Sequence, residues 1–367
     1  MKNNKKIVCL LIIILGFYLF SSCIKKEKSQ EGNIDLFNSK RAGEVAESYL
    51  NHIKNNNIEK ANSLCTDKLI SENKEISTGT TSIIAYAPDN FIESSGSAYV
   101  LFNVIRGSTS GSKCDLDNYA IKVVKLDDDY KIDEVKSANK RQVFVKDKAL
   151  RMIGEDGGKS DLVITLNNVP KDIYLSENAI MLHKEKVPNE GFGAISLGYE
   201  GQKVAISTVG DNKSFISIAY VEESKETQGN ASEEGAGGAN PNSASSSDLE
   251  DLLDKPIAKK VIPLDILDDI KINNLVFSRE EAYLIVDYLN SNSLNRLIIY
   301  DATRGEKIKL NFNEMFPEDK YNVNLKDFKK DTLTIEVTPK SNEGNVDKDI
   351  IGEYNVDIKG EEIKRNI

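Results

Sequence analysis

Leu275-Val-Phe-Ser-Arg-Glu-Glu-Ala-Tyr-Leu-Ile-Val286 reads as two short apolar strands turned about the charged stretch Ser278–Glu281. Each apolar run is rich in β-branched and aromatic residues and too short for a helix, which is the pattern of a strand hairpin. A third run, Arg296–Tyr300, follows after a polar loop. The same shape occurs at Ile195–Ser207 and again at Leu325–Val337. Each unit gives a strand, a charged turn, a second strand and a third strand beyond a polar loop. Internal repetition of this kind predicts stacked β units that bury a continuous core together.

Outward from these units the pattern holds. Ala149–Ile153, Leu162–Leu166, Val204–Val209, Phe215–Val221, Tyr283–Tyr288, Leu333–Val337 and Tyr354–Ile358 are further short apolar runs between Gly, Asn, Asp, Ser and Lys clusters. Residues 143–367 are therefore expected to form a mainly-β repeat domain. Phe277–Val286 followed by Leu297–Leu310 is similar to one blade of bacterial β-propeller repeats. Asp301 and Gly305 match the closing turn of that repeat, while Glu280-Glu281 stand where the family usually has Asp-Gly. The resemblance implies a propeller-like stack. The few units found fit a plain β-sandwich equally well, since closed propellers typically have 4–8 blades. Between the units at 195 and 275 lies a segment of about 222–255, rich in Gly, Ser, Ala, Asn and Glu. It is expected to be disordered, because it lacks the apolar surface needed to offset chain entropy. It either separates two β domains or is a long loop within one, and the repeat alignment favours the loop. Leu249–Leu253 is expected to begin a short helix, capped by Ser247.

Residues 38–140 read differently. Ala42, Val45, Ala46, Tyr49, Leu50 and Ile53 form one apolar stripe at helical spacing. A shorter helical pattern follows through Ile58, Ala61, Leu64 and Leu69. Strands are then expected at Ser82–Tyr86, Ala98–Ile105, Tyr119–Lys125 and Tyr130–Val135, with Asp127-Asp128-Asp129 as a hairpin turn. The acidic triplet lacks the spaced ligands and glycine of a calcium loop. Helices followed by a meander that closes on Tyr119–Val135 resembles the nuclear-transport-factor-two-like fold, with Tyr130 where that family often has Trp. The resemblance implies a long helix on a curved antiparallel sheet, an α+β cone able to hold a ligand. Enzymes of that family use Asp, His or Tyr inside the cone. His52 falls off the apolar stripe, at a rim position.

At the amino terminus Lys2, Lys5 and Lys6 precede an unbroken apolar run, Ile7–Phe20, of signal-peptide length. Leu19-Phe20-Ser21-Ser22-Cys23 resembles the lipobox of bacterial lipoproteins, with Phe20 where Leu is usual. The resemblance implies residues 1–22 as a signal peptide, lipid (diacylglyceryl and palmitate-type acyl chains) on Cys23, and a polar tether over 23–37. The body would then sit on the extracytoplasmic face of the cell membrane. An uncleaved signal anchor would leave the same domains outside. Cys9 departs with the signal peptide, leaving Cys65 and Cys114. Export permits a disulfide between them; the alternative is two separate thiols, one of them buried.

Composition narrows the chemistry. A net charge of −10 argues against nucleic acid as a partner, since phosphate recognition needs clustered Lys and Arg. Only two histidines, His52 and His183, occur, in unrelated contexts, so a multi-histidine metal site is not expected. Gly157-Gly158-Lys159-Ser160 lacks the upstream glycine and following helix of a phosphate loop and reads as a glycine hairpin. No catalytic residue, metal or cofactor is expected. The leading expectation is a non-catalytic binding or scaffolding module at the cell envelope, facing a protein or cell-wall partner. A small-molecule carrier using the cone is the alternative. An envelope hydrolase or isomerase comes third, and a cluster of buried, mutually close carboxylates, or His52 inside the cone, would revive it.

Overall fold

The computed structural model describes residues 37–72, 81–108, 112–155, 157–178, 181–222, 255–310, 312–340 and 346–366. Cys23, the signal segment, the tether up to residue 36, and 223–254 with its expected helix lie outside them.

The chain opens on α1 (Ser39–Lys54), which buries Ala42, Ala46, Tyr49 and Leu50 on one face as the stripe predicts. Two short helices follow, α2 (Ile58–Ser63) and α3 (Asp67–Glu72). Asn57 caps α2 by accepting from the Lys60 amide at 3.3 Å. Then comes a six-stranded antiparallel meander: β1 (Thr81–Ser94), β2 (Ser97–Ser108), β3 (Lys113–Leu126), β4 (Asp129–Lys146), β5 (Ala149–Ile153) and β6 (Asp161–Thr165). α1 packs on β1–β4. Asp127 makes the β3–β4 turn at φ 55°, and Gly157 and Gly158, both at positive φ, join β5 to β6 as the expected glycine turn.

A two-stranded ribbon, β7 (Asp172–Asn178) and β8 (Met181–Lys186), leads to three further sheets. The first is β9 (Gly191–Leu197), β10 (Lys203–Gly210), β11 (Lys213–Val221) and β12 (Ala258–Asp268). The second is β13 (Lys271–Phe277), β14 (Tyr283–Leu289) and β15 (Asn295–Asp301). After the short α4 (Phe312–Met315) comes the third: β16 (Tyr321–Lys329), β17 (Thr332–Pro339), β18 (Gly352–Asp357) and β19 (Glu362–Arg365). Among the described residues the strands pair antiparallel with their chain neighbours. The three repeats read from sequence are the opening hairpins of these sheets, β9/β10, β13/β14 and β16/β17. The protein is thus mostly β.

One expectation about organisation changes. β4 runs unbroken across the expected boundary at 140–143, and β5 and β6 continue its sheet to Thr165. The reason lies in strand alternation. On β3, Cys114 and Leu116 point away from α1 into a core shared with Leu197, Val204, Leu275 and Phe277. A sheet with apolar residues on both faces needs cover on both, and the later strands supply the second cover. Residues 39–367 accordingly form one compact unit rather than a separate α+β domain followed by a β domain. As the favoured reading of a long loop within one β domain requires, β11 and β12 are direct neighbours, paired from Lys213 with Asp268 to Val221 with Ala258. The stretch 223–254 is therefore an insertion within one sheet.

A second apolar cluster joins the last two sheets, with Ile285 and Ile299 against Val323, Ile335 and Val356. Beyond β15, Gly305 has φ +79°, and a Cβ there would stand 3.0 Å from the Pro263 carbonyl oxygen. Turn and close approach both require glycine. No described helix is long and apolar enough to cross a membrane.

Candidate functional site

Where the edge strand β13 approaches the edge strands β1 and β9, a cleft of about 550 Å³ opens. That size suits a small ligand, within the usual range of roughly 300–1,000 Å³. β1 contributes Ser82; β10 and β11 contribute Ser207 and Ser214; β13 contributes Lys271, Asn273 and Asn274; β14 contributes Asp287. Hydroxyl and amide groups, able to donate and accept, share the lining about equally with apolar surface from Ala194, Val209, Ile270 and Ile272. Within β13 a bulge between Ile272 and Asn274 inserts Asn273, and both adjacent amides bond Asp287. Asn274 Nδ2 donates to Asp287 at 2.9 Å, and Asn273 also bonds to it. Asn273 donates to Asn295 at 3.3 Å and Asn295 to Asn324 at 2.8 Å, which carries the amide ladder into the last sheet. Desolvation raises the Asp287 pKa, and the two amides offset only part of that rise.

A second polar assembly lies on the α1-facing side of the first sheet. Asp115 and Asp117, each 4% exposed, stand two residues apart on β3. This is the cluster of buried, close carboxylates that would favour an enzyme, so the disposition of its oxygens matters. Asp115 accepts from Gln142 at 2.7 Å and Thr81 at 3.4 Å, with Lys113 at 3.6 Å and Arg106 at 3.9 Å. Asp117 accepts from Asn139 at 2.8 Å and Arg106 at 3.1 Å. Desolvation raises the Asp117 pKa against the lowering by Asn139 and Arg106. General acid/base work needs an oxygen facing a reacting group, and every oxygen here is turned to the sheet's own side chains. Thr81 on β1, Arg106 on β2, the two acids on β3, and Asn139 and Gln142 on β4 make a four-strand clamp.

α1 is tied to the later sheets by charge. Glu47 meets Arg279 of the β13–β14 turn at 3.1 Å and Lys329 of β16 at 3.8 Å, and Lys54 donates to the Lys326 carbonyl at 2.7 Å. A shallower groove of about 490 Å³ lies beside Leu101, Phe102, Tyr119 and Ala120.

Of the residues singled out from sequence, Cys23 is outside the described residues. Cys65 and Cys114 are both buried free thiols, which corrects the disulfide alternative. Cys65 bridges Ile132, which faces Val123 on β3, while Cys114 is nine residues back along that strand. At strand rise this is roughly 25–30 Å, against the ~4.4–6.8 Å between Cα atoms that a disulfide spans. Burial pushes the Cys65 thiol up to about 11 and Cys114 to about 12. Native protein at about pH 8 is therefore expected to leave both thiols unlabelled by an aromatic disulfide reagent, with full reaction after urea unfolding. Rapid native labelling, or a need for reductant first, would refute this. His52 sits half-buried on α1, and the His183 backbone pairs with Leu175 in the β7–β8 ribbon. Asp287, Arg106, Asp115 and Asp117 escaped the sequence reading. Only the alternation Cys114-Asp-Leu-Asp-Asn118, acids on one face and apolar residues on the other, offered a local signal.

No family model and no curated protein matches the chain. Solved structures similar in part include a puromycin hydrolase, at 8% identity over 77% of this chain and 47% of that one, with TM-score 0.28. A candidate TolB of Agrobacterium tumefaciens is 9% identical over 76% and 79%, with TM-score 0.27. Hsv2 of Kluyveromyces lactis is 11% identical over 70% and 66%, with TM-score 0.25. The chain thus spans about half of the puromycin hydrolase. Similarity at this level carries no functional argument, and the architecture rests on the strands described above.

Proposed function

We propose that this chain is a lipid-anchored lipoprotein of the cell envelope, held by acyl chains on Cys23, that binds a ligand outside the membrane without converting it. Its meander sheets would stack in a propeller-like arrangement, with the helix-covered first sheet similar in plan to the nuclear-transport-factor-two-like cone. The single observation behind the binding reading is the open cleft bounded by β1, β9 and β13. Its serine and asparagine side chains can donate and accept, which suits recognition. Ser207 donates to the Ala194 carbonyl at 2.9 Å, which holds it as a wall residue rather than a nucleophile.

The test uses full-length protein carrying acyl label and solubilised in mild detergent. Wild type is expected to take up the label and Cys23→Ala to lose it. Wild type should also retain an envelope component identified by mass that Ser82→Trp releases. Ser82 is exposed at the cleft, so the indole fills space without entering a core. Equal labelling of Cys23→Ala defeats the anchor. Equal retention by a stably folded Ser82→Trp defeats the cleft as the binding surface.

A further inference from the structure

Two charged residues of the cleft lie on one face of the β13–β14 hairpin. Lys271 pairs with Leu289 and Asn274 with Asp287, so Lys271 and Asp287 are diagonal neighbours. Diagonal pairs of this kind stand about 7–8 Å apart at Cα. Lys271 is exposed at the start of β13, and Asp287 is half-buried between its two asparagine amides. Among the described residues, no salt bridge reaches Asp287. A carboxylate drawn from water with only neutral donors is unfavourable compared with a third amide, so its charge answers no need of the sheet. The cleft therefore offers one negative group inside, one positive group on the same face, and hydrogen-bonding walls between.

Resting on the reading of this cleft as a binding site, we infer that its ligand is a small zwitterion, an amino acid or short peptide with free termini. Asp287 holds the ammonium and Lys271 holds the carboxylate. A purely cationic ligand would meet Lys271, and a purely anionic one would meet Asp287, so neither alone complements the site. Serine and asparagine side chains on the surrounding strands are placed to bond a backbone amide of the ligand. Free amino acids and peptide termini share this chemistry, and the assay separates the two sources.

The experiment is calorimetric titration of detergent-solubilised full-length protein with two pools, free amino acids and alanyl dipeptides of both configurations. Each pool is repeated in N-acetylated and C-amidated form. At least one free pool should bind below about 1 mM, and blocking either terminus should weaken it at least tenfold. Asp287→Asn, which keeps the shape and one amide, should lose the discrimination against N-acetylation. Lys271→Met, at an exposed position, should lose that against C-amidation. The inference is overturned if neither free pool binds, if blocked forms bind equally well, or if Asp287→Asn binds as wild type does. If Ser82→Trp still releases an envelope component in that case, the cleft binds a different chemistry and only the zwitterion is lost.

Discussion

Arg106→Met is expected to lower stability by about 3–5 kcal/mol at neutral pH, the cost of stranding buried charge by removing one partner. Arg106 reaches both carboxylates of the four-strand clamp and also donates to Thr81 Oγ1 at 3.1 Å through Nε. Methionine fills much of the space but leaves Asp115 and Asp117 at 6% side-chain exposure with amide and hydroxyl donors and Lys113 alone. The pH dependence has a definite sign. Asp117 already has its folded pKa raised by desolvation, and Arg106 is one of the groups holding it down. Without Arg106 that pKa rises further. A raised carboxyl pKa means the native state binds a proton before the unfolded chain does, so native stability is regained as pH falls through the folded value. Urea midpoints measured between about pH 7 and pH 5 should show the deficit shrinking on acidification. A constant deficit would mean that lost packing, not stranded charge, is responsible.

Glu281→Ala is the second large effect, at about 2–3 kcal/mol, the usual worth of charged hydrogen bonds. Glu281 is 5% exposed; it accepts from the Glu200 amide at 2.9 Å and pairs with Lys203 at 3.3 Å. It thereby locks the β13–β14 turn onto the equivalent turn of the preceding sheet. It does so at φ 52°, a left-handed conformation that a side chain adopts at a cost of about 1–2 kcal/mol. This is the position where similar repeats carry the Gly of Asp-Gly. Glu281→Gly relieves the backbone, so it should be about 1 kcal/mol more stable than Glu281→Ala, yet still below wild type. Thermal melts of the two variants decide between the terms. If Glu281→Gly matched or exceeded wild type, the interlock would contribute nothing net. Gly198 belongs to the same contact, because a Cβ there would lie 2.5 Å from Glu281 Oε1.

What the sequence by itself determined was everything with a local cause. Alternating apolar residues made the strands, Asp127, Gly157 and Gly305 made turns, and the repeat at 195, 275 and 325 marked three opening hairpins. The stripe from Ala42 to Leu50 likewise fixed the buried face of α1. These depend on torsion preferences and on side-chain periods of two or 3.6, which act over a few residues. Tertiary structure alone decided how far each sheet continues, and that Cys65, against β4, and Cys114, on β3, lie far apart. It also decided that Ser82 and Asp287 border one cleft, and that a single arginine serves two acids. In each case the cause is a pairing between segments distant in sequence. A strand's pattern records which residues face inward, but its partner is chosen by which other surface can cover that face. For the first sheet, apolar on both sides, α1 covers one face and the later strands cover the other, and that second cover places β13 beside both β1 and β9 to form the cleft.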